Sequence, residues 1–153
     1  MQKNSNNKKL QVLIADDSAI VRERLVSMLC DVDGVEIVGQ AEDGFQAANL
    51  ICELKPDAIT LDVHMPGGTG LAVLQKIRRD MLQFNAAPVV IMLTNYSHGL
   101  YRRKAMDAGA NFFFDKSTEF EKVREVLVSM ADLELSNCQA RSCADQSRGD
   151  ARI

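Results

Sequence analysis

Residues 57–70 read DAITLDVHMPGGTG. DAITLD (57–62) reads as a buried strand: it is short and almost wholly apolar between its aspartates, with no polar alternation, as in a strand covered on both faces. It stops on a carboxylate, Asp62, and Met65-Pro66-Gly67-Gly68 then reads as a loop. The same unit recurs on either side. Upstream, LQVLIA (10–15) ends in Asp16-Asp17. Ser18 is placed to cap a helix with Ile20, Val21, Leu25, Met28 and Leu29 at helical spacing and Arg22, Glu23 and Arg24 on the other side. VEIVGQ (35–40) is strand-like, and Asp43-Gly44 opens a second helix that Lys55-Pro56 closes. Downstream, Leu71, Leu74, Ile77 and Met81 mark a third helix, and VVIML (89–93) is the most apolar run in the chain. Residues 97–108 form a shorter helix that Gly109 ends. NFFFD (111–115) is an aromatic strand, and Phe120, Val123, Leu127 and Met130 define a fifth helix. Five successive β-α units predict an α/β fold with a parallel five-stranded, doubly wound sheet. Within NFFFD, strand alternation predicts Phe112 and Phe114 as core and Phe113 as the residue on the other face.

The bulk numbers set the bounds. The chain has 153 residues, enough for one domain of ordinary size. Hydrophobic residues make up 46% and charged residues 25%, as in a globular protein. A net charge of -3 and a pI near 5.4 argue against direct nucleic-acid binding, which favours a basic face. No apolar run approaches the roughly 18 residues needed to span a bilayer, and MQKNSNNKK lacks the apolar region of a secretory signal. A cytoplasmic location without membrane contact is expected. Cys30 and Cys52 read as small core residues, while Cys138 and Cys143 fall in a polar tail. Residues 1–9 are expected to be disordered, 10–131 to form the domain, and 132–153 to be a polar, largely disordered tail.

In an open parallel sheet, functional groups gather at the C-terminal ends of the strands. Those ends carry Asp16 and Asp17, Asp62, Thr94, and Asp115-Lys116. In the strand order 2-1-3-4-5 the first and third strands are neighbours, so three carboxylates share one pocket. Two carboxylates about 5 Å apart repel by roughly 3 kcal/mol at an effective dielectric of about 20. A hard divalent cation relieves that repulsion, and Mg²⁺ prefers carboxylates combined with waters and phosphate oxygens. A carboxylate can also be the nucleophile that accepts a phosphoryl group. Lys116 lies two strands from Asp62, roughly 10 Å, a gap that a lysine stem and an aspartate side chain together nearly close. Thr94 offers a hydroxyl for a phosphate oxygen.

This set of residues, Asp16-Asp17, Asp62-Val63-His64-Met65-Pro66-Gly67, Thr94 and Lys116 within FFFDKS, resembles the receiver domain of bacterial two-component response regulators over roughly residues 9–131. The resemblance implies a flavodoxin-like (βα)5 fold with Asp62 as phosphoacceptor. Mg²⁺ would be held by Asp17, Asp62 and the backbone carbonyl of His64, with Asp16 acting mostly through a metal-bound water. Lys116 would pair with Asp62 and later with the phosphate, Thr94 would move toward the phosphoryl group, and Phe113 would be the switch aromatic that turns inward with it. His64, Asn95 and Tyr96 sit where the family tunes the lifetime of the phosphorylated state. The expected donor is a sensor histidine kinase or a histidine phosphotransfer protein. The fourth helix, fifth strand and fifth helix would carry the signal to a separate protein, unless the chain serves as a phosphate sink. The expected state is a monomer or a phosphorylation-dependent dimer.

Two positions depart from the common pattern: Ser117 follows Lys116 where many receivers carry proline, and Asn95 is bulkier than the small residue usual there. Taken singly, each residue has an ordinary structural role. Asp16-Asp17 could simply start a helix, Thr94 could cap one, and Lys116 could be a surface lysine. Tyr101 with its basic neighbours reads as a solvated helix face or a docking patch. An Mg²⁺-dependent aspartyl-phosphate hydrolase is the main alternative, but that class usually has an acid where His64 stands. A flavin binder needs a phosphate-cradling loop where Asp16-Asp17-Ser18 stands. Gly67-Gly68-Thr69-Gly70 lacks the lysine of a P-loop and reads as a flexible loop and helix entry.

Overall fold

The computed structural model describes residues 8–81, 87–96 and 98–147, with side chains through Glu134 apart from Met81. Five β-α units follow one another: β1 (Leu10–Ala15), α1 (Ala19–Leu29), β2 (Val35–Ala41), α2 (Gly44–Leu54), β3 (Ala58–Leu61), α3 (Gly70–Met81), β4 (Val89–Thr94), α4 (Gly99–Asp107), β5 (Phe112–Asp115) and α5 (Lys122–Ser147). The strands pair in parallel in the order β2-β1-β3-β4-β5, as the sequence predicts.

Strand alternation divides the core into two layers. Val12 and Ile14 point toward Leu25 and Leu29 of α1 and Val123 and Leu127 of α5. Leu13 and Ala15 point the other way, into a layer with Ala47 and Ile51 of α2, Leu74 and Ile77 of α3, and Ala105 of α4. Leu13, Ile14 and Ile59 are fully buried; each such side chain contributes about 1.5–3 kcal/mol. The helices start where capping side chains allow. Ser18 Oγ accepts from the Val21 N–H at 3.4 Å, and Asp43 Oδ1 accepts from the Gln46 N–H at 2.7 Å. Lys55 ends α2 in the left-handed region at φ 46°, directly before Pro56.

The base of the sheet, opposite the strand ends that carry the acids, is pinned by Arg78 of α3. Its guanidinium donates to the Gly109 carbonyl at 2.6 and 3.0 Å, to the Pro88 carbonyl at 3.2 Å and to Asn111 Oδ1 at 2.9 Å. Asn111 Oδ1 in turn accepts from the Val90 N–H. One side chain thereby ties the starts of β4 and β5 to the C-terminal end of α4.

Three expectations are corrected. Cys30 and Cys52, read as small core residues, are both exposed. Phe113 is the buried member of the phenylalanine triplet, 4% exposed, whereas Phe112 is 36% exposed and Phe114 half-buried. β5 is an edge strand. Phe113 enters the layer with Met92 and Ala105, while Phe112 and Phe114 stack on each other beside α5, which covers Phe114 only in part. The expected disordered tail from 132 is instead helical through Ser147, as α5 continues past Ala131. Periodicity is lost there, but Ala, Leu, Glu, Gln and Arg are strong helix formers and sustain a helix without an apolar face. The remainder of that tail and residues 1–7 lie outside the described residues.

Candidate functional site

Parallel register sets the two central acids side by side. Ala15 pairs with Leu61, so the next residue on each chain is Asp16 and Asp62. The Asp62 N–H donates to the Ala15 carbonyl at 3.1 Å, and the Asp16 N–H to the Ala41 carbonyl at 3.0 Å. β3 ends at Leu61, one residue before the strand reading had it, which leaves Asp62 at the head of the loop. That loop folds back tightly: the Gly70 N–H donates to the Val63 carbonyl at 2.8 Å. A β-carbon on Gly70 would stand 1.9 Å from the Asp62 carbonyl oxygen, so the backbone of Asp62 requires glycine here. Rather than being a loose loop, Gly67 to Gly70 ends as a close backbone buttress.

Asp16, Asp17 and Asp62 each offer a carboxylate oxygen within 4.8 Å of the others. Lys116 reaches the same point. Thr94 pairs with Asp115 across β4 and β5, and the Lys116 N–H donates to the Thr94 carbonyl at 3.0 Å. Lys116 Nζ lies 2.6 Å from Asp16 Oδ2 and 2.8 Å from Asp62 Oδ2. It does so with all described peptide bonds trans, the Lys116–Ser117 bond included. Asp16, Asp62, Thr94 and Lys116 are all buried, and Asp17 is exposed.

Three carboxylates face one ammonium. Burial pushes the Asp16 carboxyl above its ordinary value, and the hydrogen bonds from Lys116 and the Ser18 N–H offset this only in part. Burial also works against the Lys116 charge, but the hydrogen bonds to Asp16 and Asp62 outweigh it and raise that ammonium above its ordinary value. An all-oxygen donor set with excess negative charge fits a hard divalent cation such as Mg²⁺. Asp62 Oδ2 is taken by Lys116, while Oδ1 has a long 3.4 Å contact from the His64 N–H. Oδ1 is therefore the oxygen open to a cation or an electrophile.

The rim is aromatic. His64 lies 4.0 Å from Tyr96 and 5.6 Å from Tyr101 of α4, and the two tyrosine rings are 6.2 Å apart, centroid to centroid. His64 Nε2 is buried without a hydrogen-bond partner among the described residues. Thr94 Oγ1 accepts from the Tyr96 N–H at 3.1 Å, which links the threonine to this stack. Phe113 faces inward, with the Arg102 guanidinium 5.3 Å from its ring centre and 3.3 Å from its carbonyl. Asn95 is exposed. Of the residues the sequence singles out, Asp16, Asp17, Asp62 and Lys116 come together in one pocket, and Thr94 stands at the end of β4, beside Lys116 in the chain pairing. Sequence reasoning did not single out Gly70 or Tyr101 as parts of the site. Helical spacing, with Tyr101 four residues before the buried Ala105, is the signal that could have marked the latter.

A doubly wound sheet with an acid pocket and a buried lysine at its strand ends is the architecture of a phosphorylation-regulated signalling module. Residues 12–128 match the response regulator receiver domain, and the chain belongs to that family. It is 37% identical over 117 residues to protein-glutamate methylesterase/protein-glutamine glutaminase 1 of Methanospirillum hungatei, covering 76% of this chain and 34% of that protein. It is 32% identical over 118 residues to the response regulator GacA of Pseudomonas aeruginosa, covering 77% of this chain and 53% of that protein. The chain therefore spans about a third to a half of the length of these curated relatives. Among solved structures, the response regulator domain of Thermotoga maritima CheB superposes with a TM-score of 0.68 at 30% identity, covering 84% of this chain and 97% of that one. A chain of the CheX-CheY-BeF3-Mg²⁺ complex of Borrelia burgdorferi superposes with a TM-score of 0.69 at 28% identity, covering 79% and 88%. Among the described residues, no helix is long and apolar enough to cross a membrane.

Proposed function

We propose that Asp62 accepts a phosphoryl group from a phosphohistidine on a sensor kinase or phosphotransfer protein, and that the face built from α4, β5 and α5 reports this to a separate protein. The observation that carries the reading is the buried Lys116 ammonium shared by Asp16 and Asp62 inside a three-carboxylate pocket. Asp17, Asp62 and the His64 carbonyl would hold Mg²⁺, with Asp16 next to it through a water. The cation supplies neutralisation of the negative charge that builds as phosphate approaches carboxylate. The chain's own residues do the rest. Asp62 Oδ1 attacks phosphorus, a P–O bond forms, and the P–N bond to the donor imidazole breaks. The imidazole leaves with the bonding electron pair and stays on the donor. Lys116 moves from Asp62 Oδ2 to a phosphoryl oxygen, and Thr94 exchanges its bond from the Tyr96 N–H for another phosphoryl oxygen. The inward Phe113 and the Arg102 bond to its carbonyl support an output through α4 and β5.

Catalysis in this reading is confined to the chain's own phosphorylation and dephosphorylation. The test is incubation of the whole chain with acetyl phosphate and Mg²⁺, followed by intact mass. Wild type gains one phosphoryl group and Asp62→Asn gains none; an unmodified wild type or an equally modified variant overturns the reading. Beryllofluoride-treated and untreated protein, compared by pull-down and by size-exclusion chromatography, then separates a partner-binding switch from a phosphate sink and reveals any dimer.

A further inference from the structure

Asp16 and Asp17 share one peptide unit, and the two acids are held in opposite ways. Every polar group of Asp16 is engaged: its N–H by Ala41, one carboxylate oxygen by the Ser18 N–H at 2.9 Å, the other by Lys116, and its carbonyl by Arg22. The exposed Asp17 carboxylate has no hydrogen-bond or ion-pair partner among the described residues. With no side-chain partner to hold it, the direction of its Cα–Cβ bond, and so the range its carboxylate can reach, depends on the backbone, including the plane of the peptide joining it to Asp16.

Arg22 fixes that plane. It sits in the second turn of α1, where its N–H donates to the Ser18 carbonyl at 3.1 Å. Its guanidinium returns along the helix to donate to the Asp16 carbonyl at 2.6 Å, a short charge-assisted bond. The side chain is half-buried and pairs with no carboxylate among the described residues, although three stand nearby. A guanidinium directed at one carbonyl beside an acid cluster orients rather than neutralises.

We infer that Arg22 is a positioning residue for the divalent cation: by clamping the Asp16 carbonyl it aims the otherwise unsupported Asp17 carboxylate at the pocket shared with Asp62. The inference rests on the proposed metal role of Asp17 and Asp62. It opposes a purely electrostatic role in sign. If Arg22 acted through charge alone, its removal would lessen repulsion of Mg²⁺ and tighten binding. If it positions Asp17, its removal weakens binding, as loss of groups that orient metal ligands does, by roughly 10- to 100-fold.

The measurement is Mg²⁺ binding to the whole, unphosphorylated chain by titration calorimetry, at about 0.1 M and about 1 M salt, where the screening length falls from about 10 to about 3 Å. Arg22→Gln is expected to bind at least about tenfold more weakly than wild type at both salts, with unchanged circular dichroism. Arg22→Lys, which keeps the charge and one reachable donor, falls between the two. Arg24→Gln, which removes a cation from the same helix without touching Asp16, binds as wild type does. Arg22→Gln binding equal to or tighter than wild type overturns the inference, as does Arg24→Gln weakening it equally. If Arg22→Gln does not fold, Arg22→Lys decides: affinity equal to wild type rejects the clamp. A wild type that binds no Mg²⁺ removes the metal reading itself, and the role of Arg22 with it.

Discussion

Replacing Lys116 by methionine keeps the aliphatic stem and deletes the ammonium that stands 2.6 Å from Asp16 and 2.8 Å from Asp62. At an effective dielectric of about 20, each contact is worth roughly 6 kcal/mol of Coulomb attraction. The observable loss is smaller, because the variant no longer desolvates an ammonium and because a carboxylate abandoned in the pocket can take up a proton. That escape sets a ceiling. At pH 7 a carboxyl sits about three pH units above its ordinary titration range, and each unit corresponds to about 1.4 kcal/mol, so protonation costs about 4 kcal/mol. Removing one partner of a buried pair costs about 3–5 kcal/mol, in agreement. Urea unfolding with chelator present should therefore show Lys116→Met about 3–4 kcal/mol less stable than wild type at pH 7. At pH 5 the ceiling falls to roughly 1.5 kcal/mol, and the gap should shrink toward it. Adding Mg²⁺ should recover part of the loss at pH 7, because the cation takes over the neutralising role. A loss below about 1 kcal/mol, or one that does not change between pH 7 and pH 5, would refute the reasoning.

Three further outcomes are expected. Gly70→Ala forces a β-carbon into the Asp62 carbonyl oxygen at 1.9 Å; it should cost about 3 kcal/mol in urea unfolding and slow modification by acetyl phosphate, and full activity at wild-type stability would remove the buttress role. Wild-type stability should show a Lys116-dependent fall at alkaline pH: below the ordinary 10.5 both folded and unfolded lysine are protonated, and above it the unfolded chain loses its proton first. The difference between wild type and Lys116→Met, followed in urea from pH 9 upward, should therefore narrow only beyond 10.5. His64→Ala and Tyr96→Ala each remove one ring from the stack at the rim and should shorten the life of the phosphorylated form by admitting water; a time course of phosphate loss equal to wild type in both sinks that role.

The strand ends were legible because each apolar run stops on a polar residue, and parallel topology sends all of those residues to one edge. Asp16, Asp17, Asp62 and Lys116 needed little more than the strand order to be assembled, and the same order puts Thr94 at the end of the strand between β3 and β5. The phenylalanines of β5 were less legible: three consecutive apolar residues satisfy either alternation, and the edge position that leaves Phe112 exposed is a property of the finished sheet. Gly70 looked like one more loop glycine, since its use depends on a backbone approach to Asp62 that sequence spacing does not reveal. Arg22 looked like a solvated cation because its partner is a carbonyl, which has no signature in the sequence. The length of α5 was missed because periodicity reports burial, and a helix beyond the core has none to report.

The Arg78 clasp gives α4 two unequal ends. Its C-terminal end is fastened through the Gly109 carbonyl to α3 and to the starts of β4 and β5. Its N-terminal end has no side-chain cap from His98, and a β-carbon on Gly99 would meet open space. A helix held this way behaves as a lever with its pivot at the base of the sheet. A push at Tyr101, next to the aromatic rim, would then be expected to shift the N-terminal turn, held by the Arg102 bond to the Phe113 carbonyl, more than the clasped end, and to carry the exposed Leu100 with it.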